Sequence, residues 1–276
     1  MKKIIAAAVA AAFVAPVFAA DISISGDTEF QYQATDGADN VIKSDGNIMV
    51  LSATSELDNG WTVSGSLPFE LSGGSDGGES ITLSGDGMKI GFGDVSGALD
   101  AVGDYTDIAP EAGGFSGDGS DAGLSLSMGL GEATVTVSHS PKGGSHGASA
   151  DFNAYSVKMP VGGAEVYVGA EAHGDDTNDV IAYGAKGSFG GVMVAAEYAD
   201  YDSGASTTGM AVKYSMGNIT LGAENQQAED AAGADTKDMT VMFAKYNLGG
   251  GVTAYVEAAS DDNSADANTF GISYTF

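Results

Sequence analysis

The stretch Asn268-Thr-Phe-Gly-Ile-Ser-Tyr-Thr-Phe276 decides how the rest of the chain is read. Phe270, Ile272, Tyr274 and Phe276 alternate with Gly271, Ser273 and Thr275. Bulky apolar side chains therefore share one face of a strand, and small ones take the other. No polar tail follows Phe276. An aromatic-rich strand left free at the edge of a soluble sheet invites pairing with other chains. A barrel closed in a bilayer removes the edge and turns the apolar face to lipid.

The same period of two recurs upstream. Trp61, Val63, Leu67 and Phe69 oppose Thr62, Ser64, Ser66 and Glu70, and Leu124, Leu126 and Met128 oppose Gly123, Ser125 and Ser127. Sixteen such segments can be counted, at 21–33, 46–57, 60–72, 79–85, 87–97, 121–130, 132–141, 151–161, 163–174, 178–189, 191–202, 206–216, 218–227, 237–248, 250–262 and 268–276. The weakest are 79–85, which is short, and Met239–Leu248, where both faces are apolar. Tight connections such as Asp58-Asn59-Gly60, Gly85-Asp86-Gly87 and Gly190-Gly191 alternate with longer acidic ones. Asn-Gly, Asp-Gly and Gly-Gly suit hairpins that need positive φ. Short turns on one rim and long loops on the other describe a transmembrane antiparallel β-barrel, an all-β fold.

Lys2 and Lys3, the apolar run Ile4–Val17 and the small-residue site at Val17-Phe18-Ala19 predict a signal peptide over residues 1–19, with cleavage after residue 19 or 20. Residues 20–276 then form the barrel. The chain has no cysteine, which removes disulfides and thiolate metal sites. Its net charge of −28 becomes −30 once the two leader lysines are gone, with 38 acids and no arginine. Such a balance excludes a nucleic-acid-binding face. A soluble barrel with its apolar face inward would leave a void, because sixteen strands make a ring too wide for side chains to fill. A secreted acidic β-rich surface or adhesion protein binding Ca²⁺ is the alternative, with Asp175, Asp176, Asp179, Asp261, Asp262 and Asp266 as clustered carboxylates. Their spacing matches no defined Ca²⁺ loop, so no metal residues are assigned. Gly-x-Ser-x-Gly at Gly73–Gly77 and Gly143–Gly147 falls in glycine-rich loops without the strand-to-helix context of a hydrolase. His139, His146 and His173 lack metal-ligand spacing. No catalytic residue and no cofactor is expected.

The segment Leu83-Ser-Gly-Asp-Gly-Met-Lys-Ile-Gly-Phe-Gly-Asp-Val-Ser-Gly-Ala-Leu-Asp100, the start Asp21-Ile-Ser-Ile-Ser-Gly-Asp27 and the terminal Phe276 resemble the general porins of Rhodobacter-type α-proteobacteria. The resemblance implies a homotrimeric outer-membrane channel for ions and small hydrophilic solutes. Lipid, lipopolysaccharide and the barrel assembly machinery are its expected partners in a Gram-negative envelope. It also implies that the long connection after strand five, about 98–120, folds inward as a constriction loop. Acids on such a loop, here Asp100, Asp104, Asp107 and Glu111, would face basic residues on the wall. Parity places Lys89, Lys158, Lys186 and Lys213 on the polar face, with Lys245 in the ambiguous segment. Burial of lysine against lipid is costly, so these five could equally be plain solvated wall residues. Related channels carry an arginine cluster there, and this chain has none. Glu29, Glu70, Glu165, Glu171, Glu197, Glu224 and Glu257 share the polar face by the same parity, which predicts a net negative lumen and cation preference. Trp61, Phe189, Tyr246, Tyr274 and Phe276 suit an aromatic girdle near the short turns, and Tyr32, Tyr198 and Phe270 suit one near the loops.

Overall fold

A computed structural model of the protein describes residues 20–70, 78–115, 117, 121–143, 151–174 and 179–276. The predicted leader, residues 1–19, lies outside them, as do Asp175, Asp176, His146 and the end of the β5–β6 connection. Sixteen strands form one closed antiparallel barrel. They are β1 (Asp21–Thr35), β2 (Val41–Glu56), β3 (Thr62–Glu70), β4 (Ser80–Gly85), β5 (Met88–Ser96), β6 (Asp121–Leu130), β7 (Ala133–Ser140), β8 (Phe152–Val161), β9 (Ala164–His173), β10 (Val180–Phe189), β11 (Val192–Tyr201), β12 (Ser206–Met216), β13 (Ile219–Glu229), β14 (Asp235–Gly249), β15 (Val252–Asp261) and β16 (Ala267–Thr275). Each pairs with its sequence neighbours, and β1 with β16 closes the ring.

Turn chemistry enforces the hairpins. Asp86 and Gly87 have φ of 52° and 75°, and Gly190 and Gly191 have 60° and 87°. Positive φ at both central positions matches the right-handed twist of the flanking strands.

Alternation then sorts the side chains. On one face Ile181, Tyr183, Val194, Met210, Val212 and Leu221 are exposed and bulky. On the other, Ala182, Ala195, Ala199 and Ala211 are buried beside Glu197 and Glu224. The terminal strand obeys the rule: Phe270, Ile272 and Tyr274 are exposed, while Thr269 is buried.

The structure departs from the expected pattern in β2 and settles the ambiguous one in β14. β2 begins at Val41 rather than near residue 46. A bulge intervenes, with the β1–β2 register shifting between Asp27 and Glu29 and Gly46 at φ 59°. The extra residue inverts parity. Leu51 pairs with Ile24 below it, whereas Ile42 pairs with Tyr32 above it. In β14 the doubly apolar run resolves cleanly. Met242, Tyr246 and Leu248 are exposed, and Val241 and Phe243 are buried on the face that also carries Lys245. Phe243 fits there because its partner across the ladder is Gly222, where an added Cβ would meet the ring.

The β1–β16 ladder ends in one close approach. Gly26 and Phe276 exchange backbone hydrogen bonds of 3.1 and 3.0 Å. A Cβ on Gly26 would lie 2.5 Å from the Ile48 carbonyl oxygen and 2.8 Å from the Phe276 ring. Gly26→Val is therefore expected to destabilise the seam by about 1–3 kcal/mol, the usual cost of overpacking. Urea unfolding followed through Trp61 fluorescence measures it, and an unchanged midpoint would mean the seam is not tightly packed.

Candidate functional site

The connection after β5 runs from Gly97, and its amides begin without strand partners. One helical turn uses some of them: Ala101 and Gly103 donate to the Gly97 and Leu99 carbonyls at 2.9 and 3.1 Å. The rest need acceptors, because a buried unpaired N–H is costly. Three wall carboxylates supply them. The Thr106 N–H and hydroxyl donate to Glu197 Oε2 at 2.8 and 2.7 Å. Ile108 and Ala109 N–H both donate to Glu224 Oε2 at 2.8 Å. Glu111 and Ala112 N–H donate to Glu257 Oε2 and Oε1 at 2.9 and 2.8 Å.

The spacing is a match of two periods. Glu197, Glu224 and Glu257 sit on β11, β13 and β15, every second strand. Two strand spacings are roughly 9.6 Å. The amides served are about two to three residues apart, roughly 7–10 Å of extended chain. A segment crossing the strands can thus meet one carboxylate per step.

Apolar contact supports the same path. Leu99, Val102, Tyr105 and Phe115 are buried against Tyr167, Ala182, Ala195, Ala199 and Ala211. The wall is small where the connection lies on it: a Cβ at Gly209 would collide with Thr106, and one at Gly169 with Leu99. Burying each large apolar side chain contributes roughly 1.5–3 kcal/mol. Tyr105 stands edge-on to Tyr167, with centroids 5.1 Å apart, and donates to Glu165 at 2.7 Å. Burial and that carboxylate push the Tyr105 hydroxyl upward, so it stays a donor.

The acids expected on the connection do not act as one set. Glu111 accepts from Gln31 Nε2 at 2.6 Å and from the Tyr255 hydroxyl at 2.8 Å, and Tyr255 also bonds Glu29. Burial raises the Glu111 carboxyl, but its contact with Glu29 and the hydrogen bonds donated by Tyr255 and Gln31 outweigh it and hold the group below its ordinary range. Asp100 is raised, mainly by burial and then by Asp104 and Glu171, against a lowering hydrogen bond from Ser96. Asp107 is accessible to water, yet the surrounding protein strips part of its hydration. With the Asp104 charge, this raises its carboxyl.

The lysines divide as well. Lys186 and Lys213 line a cavity of about 570 Å³ with Asp104 and Asp107. Lys89 and Lys158 line another of about 350 Å³, whose remaining wall is rich in hydroxyls, Thr82, Ser125, Ser127 and Thr134 among them. Lys245 donates to the Ile108 carbonyl at 3.2 Å.

The family model described as Gram-negative porin matches residues 6–266. This chain belongs to the Gram-negative porin family. It is an outer-membrane channel protein, and the family and fold are not those of an enzyme. Among solved structures, a loop-deletion mutant of OmpT, an outer membrane protein of Vibrio cholerae, aligns with a TM-score of 0.74 at 16% identity, over 94% of this chain and 100% of that one. In-vitro folded OmpT in its trimer form gives 0.74 at 15%, again over 94% and 100%. A substituted porin of Rhodopseudomonas blastica gives 0.76 at 17%, over 93% and 100%. At these identities the likeness is one of fold. No curated protein sequence matches significantly.

Within this porin, parity put the wall glutamates on the right face but missed their task. Glu171, Glu197, Glu224 and Glu257 are 2%, 3%, 2% and 5% exposed, so they are not free charges in water. Gln31, Tyr255 and Lys237, which donates to Gly114 and Gln226, had no signal in the sequence beyond their face. At the turn rim, Trp61 covers Gly85 and donates to Asp86 at 3.2 Å. Tyr274 and Phe276 stack at 5.7 Å, both exposed. Among the described residues no group of three or more His, Asp or Glu is placed to hold a metal ion.

Glu224→Gln removes charge from two backbone acceptor contacts, each worth about 1.5–3 kcal/mol when the acceptor is ionised. Amide hydrogen exchange at Ile108 and Ala109 is expected to accelerate at least about tenfold, with strand amides unchanged. Unaltered protection at those two positions would show the carboxylate to be dispensable.

Proposed function

We propose that this porin conducts ions and small hydrophilic solutes passively, prefers cations, and is narrowed by the β5–β6 connection, about residues 98–120. The observation that carries the reading is the line of Glu197, Glu224 and Glu257 accepting five backbone amides of that connection across three alternate strands. These contacts lie on the face opposite the exposed apolar side chains. A segment held there occupies space that water and solutes would otherwise use. Cation preference rests on charge: 38 acids against the 8 lysines left once Lys2 and Lys3 go with the leader, with Asp104 and Asp107 open to a cavity in the path. The apolar outer face fits lipid, lipopolysaccharide and two further copies of the chain, and OmpT in its trimer form supports that assembly. Membership of the Rhodobacter-type branch, export by residues 1–19 and folding by the barrel assembly machinery complete the proposal.

Planar-bilayer conductance across a salt gradient tests it. Current steps in triplets with a cation-selective reversal potential are expected. An anion-selective potential would overturn the preference, and silence from a folded barrel would overturn the channel.

Acidification gives a second test. Asp100 and Asp107 bind protons more tightly than free aspartate, so they lose charge as pH falls and do so above the ordinary value of 3.8. Cation preference is expected to begin declining above that pH. The Asp100→Asn, Asp107→Asn double variant should show a flatter profile over the same range, and an identical profile would remove these groups from selectivity.

A further inference from the structure

The cavity between Asp104, Asp107, Lys186 and Lys213 holds charges that the protein leaves uncommitted. Lys186 is already engaged, 3.2 Å from Glu165 and 3.9 Å above the Tyr105 ring. Asp104, Asp107 and Lys213 make no hydrogen bond or ion pair among the described residues. Two carboxylates thus stand on the connection and one ammonium on β12, around a space of about 570 Å³. That volume lies within the range of small-molecule sites. Lys245, outside the cavity lining, interacts with Lys213 and with Asp107 alike, so its charge favours neither pole. Asp104 is held at φ 64°, a conformation non-glycine residues adopt at a cost, and such strain gathers where a side chain's placement matters.

Each class of solute meets this arrangement differently. A simple cation satisfies the carboxylates and leaves Lys213 unpaired. A simple anion satisfies Lys213 and faces two carboxylates. A neutral solute satisfies neither pole. Only a molecule carrying both an ammonium and a carboxylate completes both.

We propose that this cavity is a binding site for small zwitterions of the α-amino-acid type, the ammonium on Asp104 and Asp107 and the carboxylate on the Lys213 Nζ. The proposal rests on the channel reading above and adds a saturable site to it. Binding there slows ions while the site is occupied and enriches the zwitterion in the passage.

The test uses the full-length porin in planar bilayers at neutral pH, in potassium chloride, with L-alanine added. Its comparators are lactamide as the neutral analogue, isopropylammonium as the cation and lactate as the anion. Saturable reduction of the single-channel current by alanine is expected, at a half-blocking concentration at least about tenfold below that of each comparator. Asp107→Asn and Lys213→Met are each expected to weaken the alanine block about tenfold, normalised to the variant's own open current, and to leave any lactamide effect alone. Asp104→Asn replaces the first variant if that one fails to insert. Equal block by alanine and lactamide, equal block by isopropylammonium, or undiminished block in the variants would each overturn the zwitterion site while leaving the channel intact. Absence of any current would overturn the channel reading and this proposal with it.

Discussion

An irregular backbone laid against a wall must find acceptors for its amides, and here three carboxylates supply them. A neutral wall of serine and threonine could accept hydrogen bonds too, but ionised acceptors bind amides roughly twice as strongly. Each of Glu197, Glu224 and Glu257 also has both oxygens in use. Glu197 takes Thr106 on one and Tyr167 on the other, and Glu224 takes Ile108 and Ala109 on one and Gln226 on the other. Removing any one carboxylate would leave two or more groups buried without a partner. The small residues around them follow from the same constraint. A connection held this close needs Gly169, Gly209, Ala195 and Ala199 beneath it.

This arrangement changes what the chain's negative charge means. Counted along the sequence, the polar face is a row of glutamates facing water. In the structure three of that row, Glu197, Glu224 and Glu257, face amide dipoles, and Asp104 and Asp107 on the connection face water. The uncommitted negative charge of the larger cavity is therefore carried by the connection, while its positive charge, Lys213, stands on β12. A few residues of one loop can reset that negative charge without disturbing the wall.

Much of this was legible in the sequence, and the illegible part has a physical cause. Strand number, hairpin turns and side-chain faces are local: Asp86-Gly87 and the alternation of Phe270 to Phe276 each carry their own instruction. Parity inverts at the bulge by Gly46, which alternation does not announce, and it was ambiguous where Val241 and Phe243 made the inner face apolar. The anchoring contacts join residues 91 to 146 positions apart. Parity assigns a face to Glu224, but nothing near it says that its partners are the amides of Ile108 and Ala109. Backbone donors carry no sequence signature at all, so the glutamates looked like pore charges.

The lack of arginine becomes intelligible on the same grounds. A guanidinium offers five donors in a fixed fork and favours carboxylate partners. On a wall whose carboxylates are needed by amides, it would compete for them and loosen the connection. Lysine is a single compact charge on a flexible stem, and this porin spends several on carbonyls and rings. Lys245 reaches Ile108, Lys237 reaches Gly114, and Lys186 covers Tyr105. The lysines thus bind the connection's acceptors while the glutamates bind its donors. What remains uncommitted in the larger cavity is one ammonium and two carboxylates, few enough charges that an incoming solute can decide how they are satisfied.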